Sequence, residues 1–280
     1  MKRGAARAFR GVLAVWLLCG SAGADDAAKP PAPSDSVADL VGIQRGFMDR
    51  LEPHMPMYFI YSPKVPEAKF EVSVKYRLLD MPAEGARGMY LGYTQRSLWN
   101  LGQPSNPFLD TSYMPEVFWQ SMVSTRAAQG NVSWLGYQAG ALHESNGRPA
   151  GPDKRSLNEV YVRPIAKIGS YDGWNVVVMP RLLSYLPGLG GNTDIARYRG
   201  YAEWTAIVGK KYGPALLVFD RVGSRFDRNS LEMNFTVPIT IRKADFAAYV
   251  LVQYFDGYGE TLLGYNVRSS NVRAGIALVR

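Results

Sequence analysis

From about residue 57 onward, apolar and polar side chains alternate with a period of two. Across 70–78 the even positions are Phe70, Val72, Val74, Tyr76 and Leu78, against Glu71, Ser73, Lys75 and Arg77. Leu231, Met233, Phe235, Val237 and Ile239 alternate with Glu232, Asn234 and Thr236. Over 198–208, Tyr198, Ala202, Trp204, Ala206 and Val208 oppose Arg199, Tyr201, Glu203 and Thr205. Successive side chains of a strand point to opposite faces, so each run predicts a strand with one apolar and one polar face. About twelve such runs occur, near 57–62, 70–78, 87–97, 113–123, 132–145, 156–168, 174–185, 196–209, 213–222, 229–240, 246–256 and 264–279. The clearest of them have the roughly 9–11 residues that a tilted strand needs to cross a bilayer. They predict an all-β fold, an antiparallel transmembrane β-barrel of about 12 strands, apolar outside and polar within. A soluble sandwich also alternates, but its strands are shorter. Trp99, Tyr113, Trp119, Trp174, Tyr254 and Tyr258 lie near strand ends, as interface girdles do.

The amino terminus breaks this pattern. Residues 1–24 read as a secretory signal: Lys2, Arg3, Arg7 and Arg10 open it, an apolar stretch over 11–18 follows, and Ala22-Gly23-Ala24 offers a cleavage site. Residues 25–56 form a short periplasmic extension that starts as an Ala/Pro/Asp-rich linker, with a loose amphipathic helix over 37–51. The barrel domain is expected over 57–280. Cleavage removes four positive charges from a formal +8, leaving +4, and takes away Cys19, the one cysteine. Thiol chemistry and disulfides are thereby excluded. So modest a charge argues against a nucleic-acid partner or a polybasic membrane tether. His54, one of two histidines, is expected at the surface.

The other histidine sits in the stretch with the most chemistry, HESNGRPAGPDKRSLN at 143–158. His143 and Ser145 are two apart, so in a strand they share a face, roughly 6.5–7 Å apart. An imidazole there can serve as general base for the serine hydroxyl. The Gly/Pro/Asp-rich segment 147–153 predicts a hairpin turn, which would bring Asn158 beside His143 to hold its tautomer. Parity assigns these residues a side. Val160, Val162, Ala166 and Ile168 share the parity of Asn158, whereas Glu159, Tyr161, Arg163 and Lys167 suit a polar lumen. The preceding strand is less regular, because Trp134 and Leu142 fall on the face opposite His143. The balance places His143, Ser145 and Asn158 on the outer wall, where a lipid ester would meet them.

HxSNGR followed by RSxN resembles the outer-membrane phospholipase A family of Gram-negative bacteria. YTQRSLWN at 93–100, NPF at 106–108, GNTDIARYRGY at 191–201 and GYGETLLGYN at 257–266 extend the likeness over most of the chain after residue 57. The resemblance implies a calcium-dependent phospholipase A1/A2-type ester hydrolase, with Ser145 as nucleophile, His143 as base and Asn158 as orienting residue. It implies glycerophospholipid and lysophospholipid substrates, and a place in the cell outer membrane as a multi-pass protein. The backbone N–H of Gly147 would serve the oxyanion. Calcium would take the carbonyl of Arg148 and, from a second subunit, Ser105. Where the family carries a serine, this chain has Lys154 in a loop one residue longer; either Asp153 supplies an oxygen instead or calcium binds weakly. The family's reversible homodimer implies a contact at Gln95, and Glu144 stands where the family pattern has Asp. The rival reading is a non-catalytic outer-membrane barrel, a small channel or structural protein, with a degenerate calcium site. A soluble periplasmic binding protein is the third.

Overall fold

The computed structural model describes residues 44–280 apart from 65–66, 81–86, 106, 124–130, 171–172, 211 and 242–245. The expected signal, and the expected linker up to residue 43, lie outside the described residues. The strands are β1 (Leu51–Pro53), β2 (Met57–Ser62), β3 (Glu67–Asp80), β4 (Arg87–Asn100), β5 (Phe108–Met122), β6 (Val132–Ser145) and β7 (Ser156–Gly169). There follow β8 (Asn175–Val178), β9 (Arg181–Tyr185), β10 (Ala202–Gly209), β11 (Ala215–Val222), β12 (Asn229–Ile241), β13 (Phe246–Tyr258) and β14 (Arg268–Val279). Neighbours in sequence pair antiparallel except β1 with β2 and β8 with β9, and β14 returns to β2, with Ile276 opposite Phe59. Closure leaves no free edge, the condition for a sheet in hydrocarbon. β8 and β9 both lie between β7 and β10, as one wall strand in two pieces. The break falls at Met179-Pro180, where proline has no N–H to give the ladder. Likewise β1 and β2 run along the same edge of β3. The wall is therefore a closed barrel of 12 strands.

The alternation seen in the sequence becomes inside and outside. Along β12, Glu232, Asn234 and Thr236 are buried while Phe235 and Val237 are exposed. Charged groups in the lumen pair with one another: Lys69 Nζ on β3 donates to Glu232 on β12 at 2.9 Å, and between adjacent strands Arg96 Nε donates to Glu71 at 2.7 Å and Arg181 Nη1 to Glu203 at 3.0 Å. Buried charges persist when paired and hydrogen-bonded, and these pairs fill the middle of the barrel.

Three expectations change. The multi-pass description is overturned in the sense of membrane-crossing helices: no helix among the described residues is long and apolar enough to cross a membrane, and the crossing elements are strands. The strand expected over 196–209 starts only at Ala202. Before it, Ala196–Arg199 makes one helical turn, ended by Gly200 at φ 65°, where a Cβ would meet the Val222 carbonyl oxygen at 2.0 Å. His54 is not a surface residue. It follows β1 into the lumen, where its Nε2 lies 2.7 Å from Glu116 Oε1 and its ring stacks on Phe118 at 5.0 Å.

The irregularity of β6 has a physical cause. Its register with β7 shifts between Trp134 and Gly136, and Gly136 adopts φ 133°. This β-bulge reverses parity. Trp134 before it and Tyr137 after it both face outward and are exposed, while Leu142 turns inward against the Tyr90–Phe118–Tyr161–Leu183 cluster.

Candidate active site

β6 and β7 form one hairpin whose connecting loop, 146–155, stands at one end of the barrel. Their register sets His143 directly opposite Asn158, and Ser145 opposite Ser156. His143 Nδ1 lies 2.8 Å from Asn158 Oδ1. An amide oxygen only accepts, so Nδ1 carries the proton and Nε2 keeps its lone pair. Ser145 shares the face of His143, and no hydrogen bond joins the two in this structure. Glu144 and Leu157, on the opposite parity, are buried on the lumen side. His143, Ser145 and Asn158 accordingly sit half-buried on the outer wall, next to the exposed Val160 and Val162.

The loop is closed by a residue that the sequence argument left without a role. Asn146 N donates to Arg155 O at 3.1 Å, its Oδ1 accepts from Arg155 N at 3.0 Å, and its Nδ2 donates to Asp153 O at 2.8 Å. Asn146 is only 6% exposed. The signal was available, since Asn146 lies inside the SNGR motif. Gly147 follows at φ 67°, and a Cβ there would come within 2.7 Å of the Tyr113 ring. Tyr113 is the register partner of Ser145 on the other side, and Gln95 is that of Tyr113. Gln95, Tyr113 and Ser145 thus form one row across the outer wall. Gln95 Oε1 accepts from Tyr93 at 3.0 Å and its Nε2 donates to Ser97 at 3.3 Å.

The candidate cation donors are all oxygen, the chemistry calcium prefers. Arg148 sends its guanidinium to Leu109 O at 2.8 Å and stands 3.8 Å from the Asp153 carboxylate. Asp153 has its backbone carbonyl engaged by Asn146 and its side chain exposed, so the carboxylate is the part open to a ligand. Ser105 occupies a different loop, exposed and at φ 65°. No group of three or more His, Cys, Asp or Glu placed to hold a metal ion occurs among the described residues. The oxygen donors that the sequence assigned to a hard cation at this loop are the Arg148 carbonyl and the Asp153 carboxylate. The set is compatible with calcium.

Residues 52–278 match the family model described as Phospholipase A1. Phospholipase A1 of Escherichia coli K12 is 30% identical over 219 residues, covering 76% of this chain and 69% of that protein. A Neisseria meningitidis protein described as a candidate phospholipase A1 is 29% identical over 218 residues, 75% of this chain; the chain spans 54% of that relative's length. Among solved structures, the Salmonella typhi outer membrane phospholipase dimer with bound calcium superposes with a TM-score of 0.69 at 25% identity, covering 81% of this chain and 91% of that one. With the barrel, the hairpin and a match over most of its length, the chain belongs to the phospholipase A1 family of outer-membrane β-barrels.

Proposed function

We propose that this barrel cleaves acyl ester bonds of glycerophospholipids and lysophospholipids at its lipid-facing wall, through an acyl-Ser145 intermediate. His143 Nε2 removes the Ser145 hydroxyl proton as the oxygen attacks the ester carbonyl. The Gly147 N–H donates to the oxyanion that forms. Collapse expels the glycerol oxygen, which takes the proton back from His143. Water then loses a proton to His143, attacks the acyl-serine and releases the fatty acid, restoring Ser145. Asn158 holds the imidazole throughout, and as a neutral amide it avoids the cost of a carboxylate facing lipid. The Arg148 carbonyl and Asp153 carboxylate, with Ser105 from a second copy, would hold calcium, which would supply positive charge to the site when bound. Gln95, one row across from Ser145, would meet its symmetry mate in a reversible homodimer, where a polar group facing lipid gains a partner.

The observation that carries this reading is the 2.8 Å His143–Asn158 pair on the outer wall, one turn of the pleat from Ser145. The test is fatty-acid release from phospholipid in detergent micelles, comparing wild type with Ser145→Ala, each with calcium and with chelator. Release by wild type alone and only with calcium is expected. Equal release by Ser145→Ala would remove the nucleophile, and release unaffected by chelator would discard the calcium site.

A further inference from the structure

The lumens of outer-membrane barrels are polar, and the part of this lumen behind the hairpin obeys that rule. Glu144, Glu159, Arg181, Arg199, Glu203 and Arg221 line it. The part toward the opposite mouth does not. Tyr58, Leu135, Val177, Ile207, Leu217 and Leu251 line a cavity of about 300 Å³ there. Leu251 is 2% exposed while its neighbours Val250 and Val252 are 43% and 40% exposed on the outer wall. The apolar lining is therefore a face turned deliberately inward. At its inner end Pro56, Tyr58, Leu217 and Asn234 border both spaces. Beyond them stand the Lys69–Glu232 and Arg181–Glu203 ion pairs.

Its other end is basic. Lys167, Lys210 and Arg280 line it. Arg280 Nη2 donates to Lys210 O at 3.1 Å and its guanidinium lies over Tyr249, 4.6 Å from the ring centroid. Lys210 Nζ stands over Trp174 at 5.5 Å. Both cations are thereby placed at the turn 210–214. An apolar pocket near the lower end of the small-ligand range, with positive charge at its mouth, has the chemistry of a single-chain anionic amphiphile.

We propose that this cavity is a second lipid site that takes one acyl chain bearing an anionic head, such as a free fatty acid. The chain lies inward against Ile207, Leu217 and Leu251, and the carboxylate meets Lys210. The proposal uses none of the residues assigned to hydrolysis, so its failure and that of the hydrolase reading are separable. Each methylene moved from water into such a pocket strengthens binding about fourfold.

The test uses the full chain in neutral detergent with dodecanoic acid carrying a diazirine on its chain, and maps the labelled residues by peptide mass spectrometry. Label on the inward Ile207, Leu217 and Leu251, competed by unlabelled dodecanoate, is the expected result. Lys210→Glu should cut that inward label at least fivefold without changing the micelle-derived label on the outward Val250 and Val252, and without changing fatty-acid release. Leu217→Trp should exclude the probe by filling the cavity. Label confined to Val250 and Val252 would overturn the site. Equal inward labelling by a dodecanol probe, or an unchanged response in Lys210→Glu, would overturn the anionic preference.

Discussion

Arg199 Nη1 donates to Glu144 Oε2 at 2.6 Å inside the barrel, at the sequence position between His143 and Ser145. Ser112 Oγ donates to the other carboxylate oxygen at 2.8 Å. The segment that presents the site outward is thus pinned from within. Removing one partner leaves a buried charge alone, at a cost of about 3 kcal/mol. Arg199→Met should lower stability by that order in guanidinium unfolding in micelles, with reduced turnover. The double variant Glu144→Gln/Arg199→Met should regain most of the stability. If the single variant unfolds like wild type, the pin has no mechanical role.

Asn158→Ala removes the acceptor at His143 Nδ1. A hydrogen bond to a charged group contributes about 1.5–3 kcal/mol, and in the proposed mechanism the imidazole is charged in the transition state. Turnover should fall roughly ten- to hundredfold, with KM little changed and the barrel intact. A wild-type turnover number in a folded Asn158→Ala protein would show that the pair orients nothing.

Gly147→Ala meets two penalties: a left-handed backbone at φ 67° and a Cβ 2.7 Å from the Tyr113 ring. The first costs about 1–2 kcal/mol. The loop should shift, misdirect its N–H and lose at least tenfold in turnover. Adding Tyr113→Ala relieves the contact but not the backbone strain, so activity should return only in part. Full recovery in the double variant would assign the whole loss to the ring.

Acid should weaken the barrel partly through Glu260, which follows β13. Burial alone would raise its pKa, but the charges of Lys69 and Arg273 and a hydrogen bond from Ser269 outweigh burial and hold it below the ordinary carboxylate value. A depressed folded pKa gives stability that is present above the unfolded value, about 4.3, and is lost as pH falls through the folded one. Unfolding midpoints of wild type should drop between pH 5 and pH 3 more steeply than those of Glu260→Gln. Parallel curves for the two would refute the contribution.

Much of this was readable along the chain because a barrel wall is built from local alternation. Glu232, Asn234 and Thr236 declare the lumen, and Phe235 and Val237 the outside, without knowledge of any distant residue. The hairpin is similarly local. The turn-forming run after Ser145 is short enough that His143 and Asn158 meet through a single register.

What depends on residues far apart in sequence was not readable. The entry of His54 into the lumen is decided by Glu116 and Phe118, some sixty residues away. At the Gly136 bulge the backbone passes so close to the Ser121 carbonyl that a Cβ would approach it to 2.1 Å. The helical turn at Ala196–Arg199 is fixed by the approach of Gly200 to Val222 and by the pairing of Arg199 with Glu144. Period, parity and turn chemistry act between neighbours and were determined by the sequence itself. Ion pairs, bulges and the apolar cavity arise only when closure brings separate strands face to face, and those the tertiary structure decided.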